Sequence, residues 1–337
     1  MTIPELGLGL FPTEPPSRIV EIAREAERLG YSHIWMGDSQ AIWREVYINL
    51  GAAAMATQRV VLGTGVTNPV TRHLSVTASA LATLGELSGG RVALGIGAGD
   101  SAVETVGNRP SRLAALETAI VAIRQLLAGE EVDLGQGAMR LDWVTNPRIP
   151  IIIGASGPRL LRLAGKVADG AIILVGTAPE YLQGAFACIQ QGAQEAGRDL
   201  EAEGFKTICW TPCSIGEDGD AARDHVKSHV ARVLKRPLPF ALSEDDQAVV
   251  AKIYEHYEYY QHMVVGADHS DLVPDGLVPK FAIAGTVAEC REQMQQLAAS
   301  GIDQVAIIPH TPNPGDRLAM IRAFAQEVMH SDLHRCL

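Results

Sequence analysis

The chain has 337 residues, is 47% apolar and carries a formal net charge of −11. It can bury one barrel-sized core or two smaller ones, while the acidic balance and lack of a basic cluster argue against nucleic-acid or anionic-membrane surfaces, which are held chiefly by Lys and Arg. No apolar run reaches the roughly 18 residues of a membrane-spanning helix, and the start Met1-Thr2-Ile3-Pro4-Glu5 lacks the pattern of a secretion signal, so a cytoplasmic protein is expected.

Residues 6–11 form a short apolar run that reads as a strand. Pro15-Pro16 then opens a helix in which Ile19, Ile22, Ala23, Ala26 and Leu29 recur at helical spacing and Gly30 closes the pattern. Strands are predicted over 33–36, 60–66 and 92–96, with helices over 47–58, 71–87 and 111–128 between and after them. A glycine-rich detour around Gly135 and Gly137 precedes a strand at 151–153 and a helix striped by Leu160, Leu163, Ala164 and Val167. A strand at 171–175, a helix at 179–197 and a longer strand at 206–215 follow. The next ninety residues read as mostly helical, with breaks near 237 and over 266–279, before a last strand at 304–308 and a helix at 316–330.

Eight short, continuously apolar strands alternating with amphipathic helices are what a parallel sheet buried on both faces requires. In a chain of this length they favour an α/β fold of the closed (β/α)8 type, a TIM barrel, over an open sheet. Residues 1–337 are therefore read as a single domain. The segment 216–285 exceeds an ordinary connection and is expected to be a mostly helical insertion over the barrel mouth. Tyr254, Tyr257, Tyr259 and Tyr260, with His256 and His262, fit packing of that lid or a subunit contact better than a substrate role.

In such a barrel, chemistry sits just past the carboxyl ends of the strands. That rule selects Asp38, the run Gly65-Val66-Thr67-Asn68-Pro69, the run Gly97-Ala98-Gly99-Asp100, the turn Gly154-Ala155-Ser156-Gly157-Pro158, and Gly176-Thr177. Glycine after a strand admits close approach to the backbone, so these turns read as the floor of a cofactor site. The spacing is not that of a dinucleotide fingerprint, because Asp100 and Ala102 stand where the last glycine would be needed. Gly157 and Pro158 start a helix whose free N–H groups, with the Ser156 hydroxyl, could take a phosphate; the plain alternative is a well-made helix start. Asp38 and Asp100 could serve as acid–base groups or bind a ring edge, or be ordinary loop carboxylates. Arg72 and His73 read as surface charge and helix cap. Cys188, Cys209, Cys213, Cys290 and Cys336 have neither disulfide nor metal spacing, and no metal is expected.

Several separated phrases in register resemble the luciferase-like flavin and deazaflavin oxidoreductase superfamily. They are Ala26-Glu27-Arg28-Leu29-Gly30-Tyr31-Ser32-His33-Ile34-Trp35, Leu84-Gly85-Glu86-Leu87-Ser88-Gly89-Gly90-Arg91, Gly154 to Pro158, Ala168-Asp169-Gly170-Ala171 and Ala284-Gly285-Thr286-Val287-Ala288-Glu289. Gly63 to Pro69 together with Gly97 to Asp100 is most similar to the methylenetetrahydromethanopterin reductase branch, which uses the deazaflavin coenzyme F-420. The resemblance implies hydride transfer between that cofactor and a small organic substrate. It also implies a non-proline cis peptide at Gly65–Val66 behind the ring, and often a homodimer. It places Asp38, Gly65, Val66, Thr67, Gly97, Ala98, Gly99, Ala155, Ser156, Gly157, Pro158, Gly176 and Thr177 around the cofactor, with Asp38 and Asp100 as catalytic candidates. Two positions depart from the pattern: Ser39 follows Asp38 where many members have His, and Gly9 stands where the reductases carry an acid. An FMN-dependent monooxygenase using O2, and a non-catalytic flavin-binding barrel, are the alternatives.

Overall fold

The computed structural model describes residues 3–133, 135, 137–145, 148–256, 261 and 264–329. Its strands in chain order are β1 (Glu5–Leu10), β2 (His33–Met36), β3 (Val61–Thr64), β4 (Val92–Ile96), β5 (Val132–Asp133), β6 (Ala138–Met139), β7 (Ile151–Ala155), β8 (Gly170–Ile173), β9 (Lys206–Ile215), β10 (Ile283–Gly285) and β11 (Gln304–Pro309). The helices are α1 (Pro16–Arg28), α2 (Val46–Ala56), α3 (Leu74–Ser88), α4 (Ser101–Glu104), α5 (Leu113–Leu127), α6 (Pro158–Val167), α7 (Pro179–Glu195), α8 (Gly219–Leu234), α9 (Glu244–His256), α10 (Val278–Phe281), α11 (Val287–Ala299) and α12 (Arg317–Ala323).

Eight strands run parallel in the order β9-β11-β1-β2-β3-β4-β7-β8, and pairing of β8 with β9 closes them into a (β/α)8 barrel. The strands β5 and β6 form a small antiparallel hairpin outside it. The closed sheet leaves no free edge, and helices cover its outer face, so β4, β7 and β11 are buried along their whole length.

The interior is filled by a few large side chains set against vacated positions. Trp35 and Trp210 lie in it with Ala93, Ile152, Ile172, Ile208, Ala306 and Ile308. A Cβ at Gly63 would come within 2.5 Å of the Trp35 ring, and one at Gly9 within 2.7 Å of Ile308 and 2.9 Å of Trp210. The tryptophans therefore require those glycines. This is the physical reason for Gly9: the space an acidic side chain would use is occupied by Trp210 and Ile308.

The segment 216–285 holds α8, α9 and α10, but also the short strand β10, which pairs in parallel with the carboxyl end of β9. Three residues are too few to carry a periodicity, so the sequence gives no sign of it. The side chains of Tyr254 and His256 and the whole of Tyr257, Tyr259, Tyr260 and His262 lie outside the described residues, as does Cys336. Among the described residues no helix is long and apolar enough to cross a membrane. Cys209, Cys213 and Cys290 are buried thiols, and burial pushes Cys209 up to about 12.

Candidate active site

Asp38, Gly65, Val66, Thr67, Gly97, Ala98, Gly99 and Asp100 line one cavity at the carboxyl ends of the strands. Gly154 lines it too, whereas Ala155, Ser156, Gly157, Pro158, Gly176 and Thr177 do not. Ser156 is buried beside the start of α6, where Gly157 is the cap and Pro158 the first helical residue. Gly176 and Thr177 are turned toward α10: the Thr177 N–H donates to the Lys280 carbonyl at 2.8 Å and its hydroxyl to the Pro279 carbonyl at 3.2 Å.

The wall after β3 organises the cavity. The Gly65–Val66 peptide is cis. Beyond it the chain rejoins β4, because the Thr67 N–H donates to the Gly95 carbonyl and the Gly97 N–H to the Thr67 carbonyl, both at 2.9 Å. The Val66 side chain is received by two glycines, Gly97 just past β4 and Gly154 in β7. A Cβ at Gly154 would lie 2.8 Å from Val66 Cγ1, and one at Gly97 3.0 Å from Val66 Cγ2. These glycines clear space for Val66 and only through it for a ligand. Gly99 is needed for a different reason, its positive φ of 102°.

Both acids at the rim are already matched by arginine. Asp38 is buried, and its Oδ2 accepts from Thr67 Oγ1 at 2.7 Å and from Arg72 Nη1 at 2.5 Å, while Arg72 Nη2 donates to Oδ1 at 3.2 Å. The same guanidinium reaches Glu45 at 2.8 Å and lies over the Tyr47 ring. Arg72 is thus a half-buried clamp, which corrects its reading as surface charge: three acceptors converge on one loop position. His73 does cap α3, its Nδ1 accepting from the Ser75 N–H. Asp100 is clasped by Arg232, at 3.1 Å, from the last turn of α8, and by Arg236, just past its end. Ser39 is also committed, its hydroxyl donating to Ser101 Oγ at 3.1 Å and tying the β2 loop to α4.

Sequence reasoning missed several lining residues. Phe11 follows β1 directly, but the apolar run 6–11 reads it as the last strand residue, which hides it from the strand-end rule. Its ring stacks on Trp43 with centroids 4.4 Å apart and meets Trp210 edge-on at 6.2 Å. Arg232 lies in the last turn of α8 and Arg236 two residues past its end, and both read as solvated charge until Asp100 is brought against them.

A closed parallel barrel with a glycine-walled, aromatic-lined cavity at its carboxyl rim defines a (β/α)8 enzyme scaffold. Within that class the chain belongs to the luciferase-like monooxygenase family, whose profile matches residues 2–304. The 5,10-methylenetetrahydromethanopterin reductase of Methanolobus tindarius is 32% identical over 326 residues, covering 94% of this chain and 97% of its own. An F-420-dependent glucose-6-phosphate dehydrogenase of Nakamurella multipartita is 35% identical over 240 residues, 65% of this chain and 70% of its own. The structure of the coenzyme F-420-dependent tetrahydromethanopterin reductase from Methanopyrus kandleri matches with a TM-score of 0.77 at 28% identity, covering 97% of this chain and 99% of that one.

Proposed function

We propose that this chain is an oxidoreductase that holds the deazaflavin coenzyme F-420 at the rim cavity and passes a hydride between it and a small organic substrate. The observation that carries this reading is Val66, braced by Gly97 and Gly154, facing a cavity shared with Phe11, Trp43 and Trp210. The residues present fit the group. Aliphatic and aromatic surface suits a flat tricycle, and the acids at the rim are neutralised by arginine, so no unmatched charge opposes it.

When bound, the deazaflavin supplies the hydride. The chain supplies position and dryness. Asp38 and Arg72 hold Thr67 and thereby the wall that carries Val66. Asp100, through Arg232 and Arg236, fixes α8 at the rim, which is why we read residues 216–285 as a cover of the mouth. Ser156 and the N-terminus of α6 are the place for a phosphate: the N–H groups of Ser156 and Gly157 have no partner among the described residues.

A second copy of the chain is the partner we propose. Ile48 and Met55 on α2 and Val76 and Leu87 on α3 are exposed, and α2 carries no charge in a chain of net charge −11. On such a face two chains of like net charge can meet without opposing like charges. Met55→Glu should then shift the sedimentation of the protein from dimer to monomer.

The deciding experiment is an absorbance titration of the purified protein with coenzyme F-420 and with FMN. F-420 should bind the more tightly, and Ser156→Asp should weaken it about tenfold by placing a charge against the phosphate. Tight FMN binding without F-420 binding would move the protein to the oxygen-using branch, and binding of neither would make it a non-catalytic barrel.

A further inference from the structure

A second cavity, of about 340 Å3, opens on the same rim between the ends of β1 and β11. It shares Phe11 and Trp43 with the first, so the two compartments meet across that stacked aromatic pair. A volume of this order takes a small organic molecule. Its remaining walls are largely apolar, with Ile42, Ile308, Pro309 and Pro312 among them.

The side chains of Arg317, Thr13 and Thr311 in this chamber already have hydrogen-bond partners. Arg317 donates to Glu14 Oε2 at 2.6 Å and to Thr13 Oγ1 at 3.2 Å, so its guanidinium is already paired with a carboxylate, which Arg18 also approaches at 3.6 Å. The Thr311 hydroxyl donates to the Asn313 carbonyl at 2.8 Å. The exception is His310, the first residue beyond β11. Its main-chain N–H donates to the Cys213 carbonyl at 2.8 Å, and its Nε2 lies 3.0 Å from Nδ1 of His229 on α8. Its own Nδ1 makes no hydrogen bond to the described residues, although the residue lines the cavity. Burial, reinforced by Arg317 and His225, pushes this imidazole down to about 3, so it is neutral near pH 7.

We propose that this chamber binds an uncharged carbonyl or hydroxyl compound with an apolar ring or chain, its oxygen hydrogen-bonded to His310 Nδ1. A neutral imidazole held by His229 can donate to a carbonyl or accept from a hydroxyl, according to tautomer. A carboxylate or phosphate would enter a chamber whose guanidinium is already paired, with nothing left among the described residues to repay its desolvation. The proposal deepens the hydride-transfer reading by naming the class of substrate, and rests on that reading for what happens to the molecule once bound.

The test uses the protein without cofactor, so its failure is separate from a failure to bind F-420. Affinities are measured by ligand-observed NMR for acetophenone, for ethylbenzene of nearly the same shape, and for benzoate and glucose 6-phosphate as charged counterparts. Acetophenone should bind about tenfold more tightly than each of the others, the scale of one hydrogen bond or one unpaid charge. His310→Phe should remove the advantage of acetophenone over ethylbenzene while ethylbenzene itself still binds. Equal binding of acetophenone and ethylbenzene by the native protein, or of acetophenone and either anion, would overturn the proposal. So would a variant that loses both neutral probes alike. Should that variant not fold, the 15N resonance of His310 Nδ1 in the native protein decides: it must move with acetophenone and stay with ethylbenzene, and a resonance that ignores acetophenone refutes the assignment.

Discussion

The two ends of the barrel are built by different means. At the amino end, side chains hold main chain: Glu27 accepts the N–H groups of Gln58, Arg59 and Val60, and Arg91 donates to the carbonyls of Ala54, Thr57 and Val60. Asp169 accepts the Ile151 N–H at 2.7 Å, and Asp303 the Thr207 N–H at 2.8 Å. At the carboxyl end, the acids and aromatics that line the cavity are held by other side chains: Thr67 and Arg72 on Asp38, Arg232 on Asp100, Phe11 on Trp43. An amino-end group serves any sequence that needs the same loop shape, whereas a carboxyl-end pair serves only its own partner. The first end specifies a fold, the second a site.

The sharpest way to break this contrast is to remove an amino-end anchor and look for an effect on ligand binding. Arg91→Met deletes donors to three carbonyls and to Thr57 Oγ1 while keeping the stem. Charge-assisted hydrogen bonds to half-buried acceptors put the expected loss at about 3 kcal/mol of stability, read as a lowered urea midpoint. The F-420 affinity of the folded fraction should not change. A variant that keeps its stability but binds F-420 poorly would erase the distinction between the ends.

That contrast also explains what could be read from the sequence. The eight barrel strands were legible because each is a continuous apolar run between helices, and Glu27, Arg91 and Asp169 stood inside the phrases that carry the family resemblance. Gly97 and Gly154 were legible as positions without side chains, yet what enters the space is Val66 from the loop after β3, a contact that exists only once β3, β4 and β7 are neighbours. Arg232 and Arg236 were hidden for the same reason. Phe11 and His310 directly follow β1 and β11, but the apolar runs 6–11 and 304–308 put the first inside its strand and the second two residues beyond its own, so the strand-end rule passed both by.

A carboxyl-end change should behave in the opposite way to Arg91→Met. Gly154→Ala places a Cβ 2.8 Å from Val66 Cγ1, and the strand beneath it cannot yield, so Val66 must move. Overpacking of this kind costs about 1–2 kcal/mol, but a displaced wall should lower F-420 affinity about tenfold. Adding Val66→Ala to Gly154→Ala relieves the crowding, so the double variant should be more stable than the sum of the two single losses. Strict additivity in that cycle would show that Gly154 and Val66 do not share the space assigned to them.

The smallest effect, and the one that isolates an amino-end anchor by its charge, concerns Glu27. Burial works to raise its pKa, but the N–H groups of Val60, Arg59 and Gln58, with the Arg59 charge, more than offset this and leave it below the ordinary value of 4.5. A carboxyl whose folded pKa is depressed contributes stability that is fully present above its unfolded pKa and is lost as pH falls through the folded one. Glu27→Gln keeps an acceptor oxygen and loses only the charge, so near pH 7 it should cost about 1 kcal/mol. The gap between native protein and variant, followed by urea denaturation, should narrow as pH drops below about 4.5 and close once Glu27 is protonated in the folded state. A gap that stays constant from pH 7 to pH 3 would mean that the carboxylate charge contributes nothing at this end of the barrel, and that the shape of the side chain alone pins the loop before β3.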